Sequence, residues 1–527
     1  MKKYSKIQLL FALAFLMLGL NSCLGDLDKG PIDPSVTQQF NQDAIFNKVY
    51  ASLALTGQEG PNGVPDLDGS YIDEGTSAFY RLIWNLNELT TDEAICSWGD
   101  EGIPEMNFNS WTSSHGQIKG LYGRLGFIVT ISNHFLENTD GKTDDATVKQ
   151  RAEVRFIRAL AYYYMMDMYG NVPFATKVSS TAPTQIKRAD LFTWIEQELK
   201  AIEPDMYAVK AAPKYRVDKA ANWLLLSRMY LNAAVYTGTA RWNDAAIYAK
   251  KVIDSKGYSL CPEYKKIFMA DNDENGAQNE ILFPIASDGI TTISYGNSMF
   301  VIASTHTEGM LPWGTTEGWG GNRARAALVK KFFPNTADIP TDEAGLSNTT
   351  VKAQDKRALF YGYQRTLEIE KTTIFKEGFS VAKWSNVRAD GKPSKDKKWV
   401  DTDVPFLRMA EAYLTYAEAV KRGAPEAGLT ALDAVNALRN RAGAKAYLAS
   451  ELNLGTILDE WAREFYFEGR RRMDLIRFGY YGGNSSYSWD WKGGVKSGTS
   501  FSANYNLFPI PSADINANPN LVQNPGY

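Results

Sequence analysis

The stretch VKQRAEVRFIRALAYYYMMDMYGNVP, residues 148–173, decides the fold class. Val154, Ile157, Ala161 and Met165 recur at i, i+3, i+7 and i+11, the spacing of one helix face, and Gly170-Asn171-Val172-Pro173 ends the run. Working outward, Asp190 reads as the N-cap of a helix reaching about Glu203, with Pro204 as its stop. Asp218 caps a Leu- and Ala-rich run over 219–236, and 242–255 follows after a Thr-Gly-Thr turn, so the two form a helical hairpin. The pattern returns over 405–422 and 427–442, separated by Gly423-Ala424-Pro425, and again from about Thr456 to Arg472. Ala, Leu and Tyr at the packing positions resemble tetratricopeptide pairs without a fixed period. The expected scaffold is therefore mostly α, stacked from about 148–255 and 404–472.

Residues 57–115 and 287–325 read differently. They are rich in Gly, Asn, Ser, Trp and Tyr and show no sustained periodicity. Loops of that length inside a compact body are functional or disordered, and so high an aromatic content argues for order. They are expected to form a second layer of irregular loops and short helices on the scaffold.

The amino terminus carries a separate signal. Lys2, Lys3 and Lys6 precede an apolar run from Leu9 to Leu20, too short for a permanent membrane span, followed by Asn21-Ser22-Cys23. This reads as a lipoprotein leader over 1–22, a lipidated Cys23 and a polar tether over 23–40, ahead of one body over 41–527. The alternative is an exported protein in which Cys23 is incidental. Removing the three leader lysines takes the formal net charge from −3 to −6, against a nucleic-acid surface. Cys96 and Cys261, the other two cysteines, lie too far apart in sequence to suggest a disulfide framework.

Trp461-Ala462-Arg463-Glu464-Phe465-Tyr466-Phe467-Glu468-Gly469-Arg470-Arg471-Arg472, followed by Asp474-Leu475-Ile476-Arg477-Phe478-Gly479, resembles the signature helix of the SusD/RagB family. Leu507-Phe508-Pro509-Ile510-Pro511 and the closing Gln523-Asn524-Pro525-Gly526-Tyr527 are similar to that family's end. The likeness runs from the lipobox to the last residue and is greatest to the family's starch-binding member. It implies tetratricopeptide-like helix pairs in a right-handed superhelical scaffold, a lipid anchor in the outer membrane facing the cell exterior, and no catalysis. It also implies binding of starch and maltooligosaccharides, and a SusC-type TonB-dependent transporter as partner.

Site residues follow from the same resemblance. It places an aromatic arc on Trp98, Tyr295 and Trp319 and polar contacts on Asp73 and Arg81. Flat rings stack on the weakly apolar C–H faces of a pyranose, while carboxylate and guanidinium meet its hydroxyls. A tryptophan implied two positions before Trp98 is Cys96 here, and the asparagine implied just after Trp98 is missing, so Asp100 becomes the substitute acceptor. Trp313 is an extra ring that could lengthen the platform. Taken singly, each ring is more often core, Asp73 a turn cap and Arg81 a surface cation.

Asp273, Asp401 and Asp403 form a candidate calcium site of hard oxygen ligands, with a solvated acidic turn as the alternative. No other cofactor is expected. Competing functions are a family binder of another polysaccharide (fructan, xylan or host glycan), a glycoside hydrolase and a protein scaffold. Acids are abundant enough that composition leaves a hydrolase open, although the three histidines, His115, His134 and His306, fall in no HExxH motif and no GxSxG or Walker motif occurs.

Overall fold

The computed structural model describes residues 40–69 and 72–527. The leader, Cys23 and nearly all of the tether lie outside them. The chain divides into two units, Met1–Ile45 and Phe46–Tyr527, and the second contains everything that follows.

Eight long helices build the scaffold: α1 Gly116–Asn138, α2 Asp145–Tyr169, α3 Arg188–Ile202, α4 Lys219–Leu231, α5 Trp242–Asp254, α6 Met409–Lys421, α7 Ala431–Arg441 and α8 Leu454–Phe465. Each packs on its neighbours as antiparallel pairs, α1 on α2, α4 on α5, α6 on α7, and α5 also meets α6. That last contact joins the early helices to the late ones, and the result is the tetratricopeptide-like stack.

Local chemistry explains the boundaries. Asp144 caps α2 by accepting from the Thr147 amide at 2.9 Å, and Gly170, at φ 77°, ends it. Asp218 caps α4 as expected. Asp190 instead sits in the first turn of α3, behind Lys187, where its charge favours the helix dipole. The run expected to reach 236 breaks at Asn232, whose side-chain amide donates to the Arg228 carbonyl. Residues 404–408 form a strand with Ile281–Ile285 before α6 begins. Helix α1 is absent from the sequence reading. Its glycines at 116, 120, 123 and 126 weaken helix propensity, and packing on α2 overrides them. Gly120 allows a close approach there, since a Cβ would lie 2.4 Å from Ile72 Cδ1 and force that side chain to shift.

The signature segment also departs from one continuous helix. It stops at Tyr466, turns through Phe467 (φ 61°) and Gly469 (φ 78°), and resumes over Arg471–Arg477. The break frees the Phe467 carbonyl to accept from two buried indoles, Trp84 Nε1 at 3.0 Å and Trp384 Nε1 at 3.2 Å. Around it lies a dry ion network. Arg408 meets Glu464 at 2.6 Å and Glu280 at 3.0 Å, and Arg357 meets Glu460 at 2.6 Å, with all five side chains fully buried. Burial pushes the Glu460 carboxyl up, but Arg357, Arg463 and Arg439 outweigh it and hold it at about 2.

The described residues of the loop segments include short elements of their own. These are the short helices Phe79–Trp84 and Ser298–Thr305 and an antiparallel strand pair, Ala94–Cys96 with Asn322–Ala324. Arg471 clamps this second layer to the scaffold through both oxygens of buried Asp92, at 2.7 and 2.8 Å. Cys96 and Cys261 are buried free thiols. No helix among the described residues is long and apolar enough to cross a membrane.

Candidate functional site

The strand pair sets the site. Cys96 faces Asn322 across the ladder, and the Ser97 amide donates to the Gly321 carbonyl at 3.0 Å. Trp98 therefore leaves the strand directly over Gly321. A Cβ on Gly321, whose φ is 96°, would sit 2.3 Å from the Trp98 Nε1 atom, so only glycine admits the indole there. The same loop delivers Trp319. Its amide donates to the Ala303 carbonyl at 2.8 Å, and its indole N–H donates to Glu317 Oε2 at 2.8 Å.

The rings form a row. The Trp98 and Trp319 centroids are 6.5 Å apart with planes 57° apart, and Trp319 and Tyr295 are 6.2 Å apart at 45°. All three rings are half-buried. The tilts turn successive faces, as an arc requires. Trp399, missed in the sequence reading, continues the row 4.8 Å from Tyr295. The family resemblance did not point to it, and its one local signal is a lone indole in a Lys-rich loop. Lys398 braces this end by donating to the Tyr295 hydroxyl at 2.8 Å.

A cleft of about 940 Å³ opens beside the row, near the upper end for small-ligand sites. Asp73, Arg81, Trp98, Asp100 and Trp319 all line it. Tyr295 does not. It joins the row through Trp319. Asp73 also caps a turn, as its Oδ1 accepts from the Thr76 amide at 2.9 Å, which holds an exposed carboxylate at the rim. The Arg81 guanidinium lies 4.7 Å from the Phe300 ring centroid, and its Nε has no hydrogen-bond partner. Burial lowers its pKa, while the charge of Asp73 pulls it back up. An arginine fixed on a ring and short of acceptors is poised to donate to an incoming oxygen.

Other expected residues are engaged elsewhere. Trp313 stacks on His306 at 5.3 Å and donates to the Glu317 carbonyl at 2.7 Å, so it braces the loop without lining the cleft. Cys96 is buried in the strand, where burial pushes its thiol up to about 12. The three candidate calcium ligands have separate partners. Asp403 accepts from the Ser287 amide and Asp401 from the Gly289 amide, each at 2.8 Å, and Asp273 pairs with Lys214 at 2.6 Å. Among the described residues no group of three or more His, Cys, Asp or Glu comes together to hold a metal ion.

Residues 313–527 match the SusD family, and residues 27–231 match a family described as starch-binding associating with outer membrane. The chain is 46% identical to the starch-binding protein SusD of Bacteroides thetaiotaomicron, covering 98% of this chain and 97% of the relative. Among solved structures it is similar to surface glycan-binding protein A from Bacteroides fluxus, at TM-score 0.69 and 20% identity over 94% of this chain and 100% of that one. It is also similar to surface glycan-binding protein A from Bacteroides thetaiotaomicron in complex with laminarihexaose, at TM-score 0.65 and 20% identity over 92% and 98%. At such identities the two structures attest the shared fold.

Proposed function

The chain belongs to the SusD family, and on that premise we propose that it captures starch and maltooligosaccharides at the cell surface and passes them to a SusC-type TonB-dependent transporter. In this reading a lipid on Cys23 holds it to the outer membrane, facing the exterior. The observation that carries the proposal is the tilted row of Trp98, Trp319 and Tyr295 beside Asp73 and Arg81. A curved α-glucan lays its C–H faces on successive rings. Trp and Tyr suit this because they lose little rotamer freedom on binding. Asp73 accepts from sugar hydroxyls, Arg81 donates to them, and Asp100 supplies a further acceptor.

The proposed act is capture without cleavage, and it requires no cofactor. A glycosidase acid works from a buried, apolar setting, whereas Asp73 and Asp100 both stand in solvent. The test is to run the purified chain in native gels containing amylopectin, levan or xylan, with β-cyclodextrin as competitor. Retardation by amylopectin alone, relieved by cyclodextrin and without release of reducing sugar, is the expected result. Retardation by levan or xylan in place of amylopectin overturns the substrate, and liberated reducing ends overturn the binding-only role.

A further inference from the structure

The cleft has a second wall, which the aromatic row does not use. It is built from the first turn of α1 and the segment before it, Ser113, Ser114, Gly116 and Gln117, together with Ser512 near the carboxyl end. No ring lies on this side. The residues are small or hydrogen-bonding, and Lys119 of the same turn also lines the cleft.

Gln117 is the informative residue. Its side chain is only 7% exposed, yet it lines the cleft. The Asn85 amide, itself buried, donates to Gln117 Oε1 at 2.8 Å. One half of the Gln117 amide is thus locked inward, and its NH₂ is left for whatever occupies the cleft. The wall is also rigid. The Ser512 amide donates to the Ser113 carbonyl at 2.9 Å, which ties the terminal segment to the start of α1, and His115 caps that helix through the Ile118 amide.

A glucan stacked by its C–H faces turns its hydroxyl edges sideways, away from the rings. A substituent on such an edge projects across the cleft. It would meet a surface that offers the Gln117 amide, serine hydroxyls, the Lys119 side chain and no stacking partner. That surface suits the hydroxyls of a single extra sugar and gives no platform to a second main chain. We propose that the Gln117 wall is a subsite for a glucosyl branch carried by the chain that lies on Trp98 and Trp319. The proposal rests on the starch reading and adds branched α-glucan as the preferred form of the substrate.

The test compares β-cyclodextrin with 6-O-α-maltosyl-β-cyclodextrin, the same ring without and with a branch, by isothermal titration of the full chain. The unmodified protein is expected to prefer the branched ligand roughly five-fold, the worth of one or two hydrogen bonds. Gln117→Leu removes the donor, and Ser512→Phe fills the space from the opposite element. Each is expected to bring the affinity ratio to one. Ser512→Phe covers the case in which Gln117→Leu misfolds by orphaning Asn85. Equal affinities in the unmodified chain, or a preference that survives Ser512→Phe, overturn the branch subsite and leave the starch reading intact. Failure to bind either cyclodextrin overturns both.

Discussion

The ion network around Glu464 and the cleft beside Trp98 are built from the same residue types, arginine, carboxylate and aromatic ring, at opposite exposures. In the network Arg408 meets Glu280, Glu464 and Glu468, and all of these carboxylates are buried or nearly so. In the cleft Arg81 Nε has no partner, Asp73 stands in solvent and two indoles, Trp98 and Trp319, lie half-open. Closed pairing serves stability and register. Open pairing leaves interaction energy available to a ligand. The family signature segment belongs to the closed region. It holds the frame on which the loops rest and contributes nothing to the cleft lining.

The sharpest way to break this contrast is Arg408→Ala. Leaving buried carboxylates unpaired is expected to cost about 3–5 kcal/mol in urea unfolding, while the folded fraction keeps its amylopectin affinity. A loss of affinity without a loss of stability would merge the two regions into one.

Acid probes the same network without mutation. Glu460, held at about 2 against an ordinary 4.5, contributes stability that is complete above pH 4.5 and lost as pH falls towards 2. Glu88 works in the opposite sense. Burial raises it, and raises Glu93 beside it, so the contribution of this buried pair is present below pH 4.5 and lost as pH climbs above that. The free energy of urea unfolding is therefore expected to peak in mildly acidic solution and fall on both sides, by about 3 kcal/mol in strong acid. Glu88→Gln keeps an acceptor for the Gly469 amide, 2.6 Å away, and should make the alkaline side shallower while leaving the acid side unchanged.

In the cleft the effects reverse. Trp98→Ala and Trp319→Ala are each expected to weaken maltoheptaose binding by about 1–3 kcal/mol in calorimetry, with the urea midpoint nearly unchanged. Unchanged affinity in both removes the aromatic row from the binding account. Gly321→Ala is the subtler probe. Its Cβ would displace the Trp98 indole, so about 1 kcal/mol of affinity should be lost without deleting any ring. Unaltered binding would mean the indole's placement does not matter.

The family came from its motifs and the residues of the ring row from that resemblance, while the helix faces and the caps at Asp218 and Gly170 were legible from local pattern. Each depends on a few neighbouring side chains, whose preferences survive outside the fold. Helix α1, the break at Phe467 and the contribution of Trp399 were not legible. Packing overrode the glycines in α1, two distant indoles claimed the carbonyl freed at Phe467, and Trp399 joined Tyr295 from another loop. Only tertiary closure decided that Trp98 and Trp319 share one cleft. The Cys96–Asn322 register brings them together, and Asn85 holds the Gln117 side chain that lines the same cleft. Such contacts draw on segments far apart in the chain, and their energy exists only once the intervening helices have stacked.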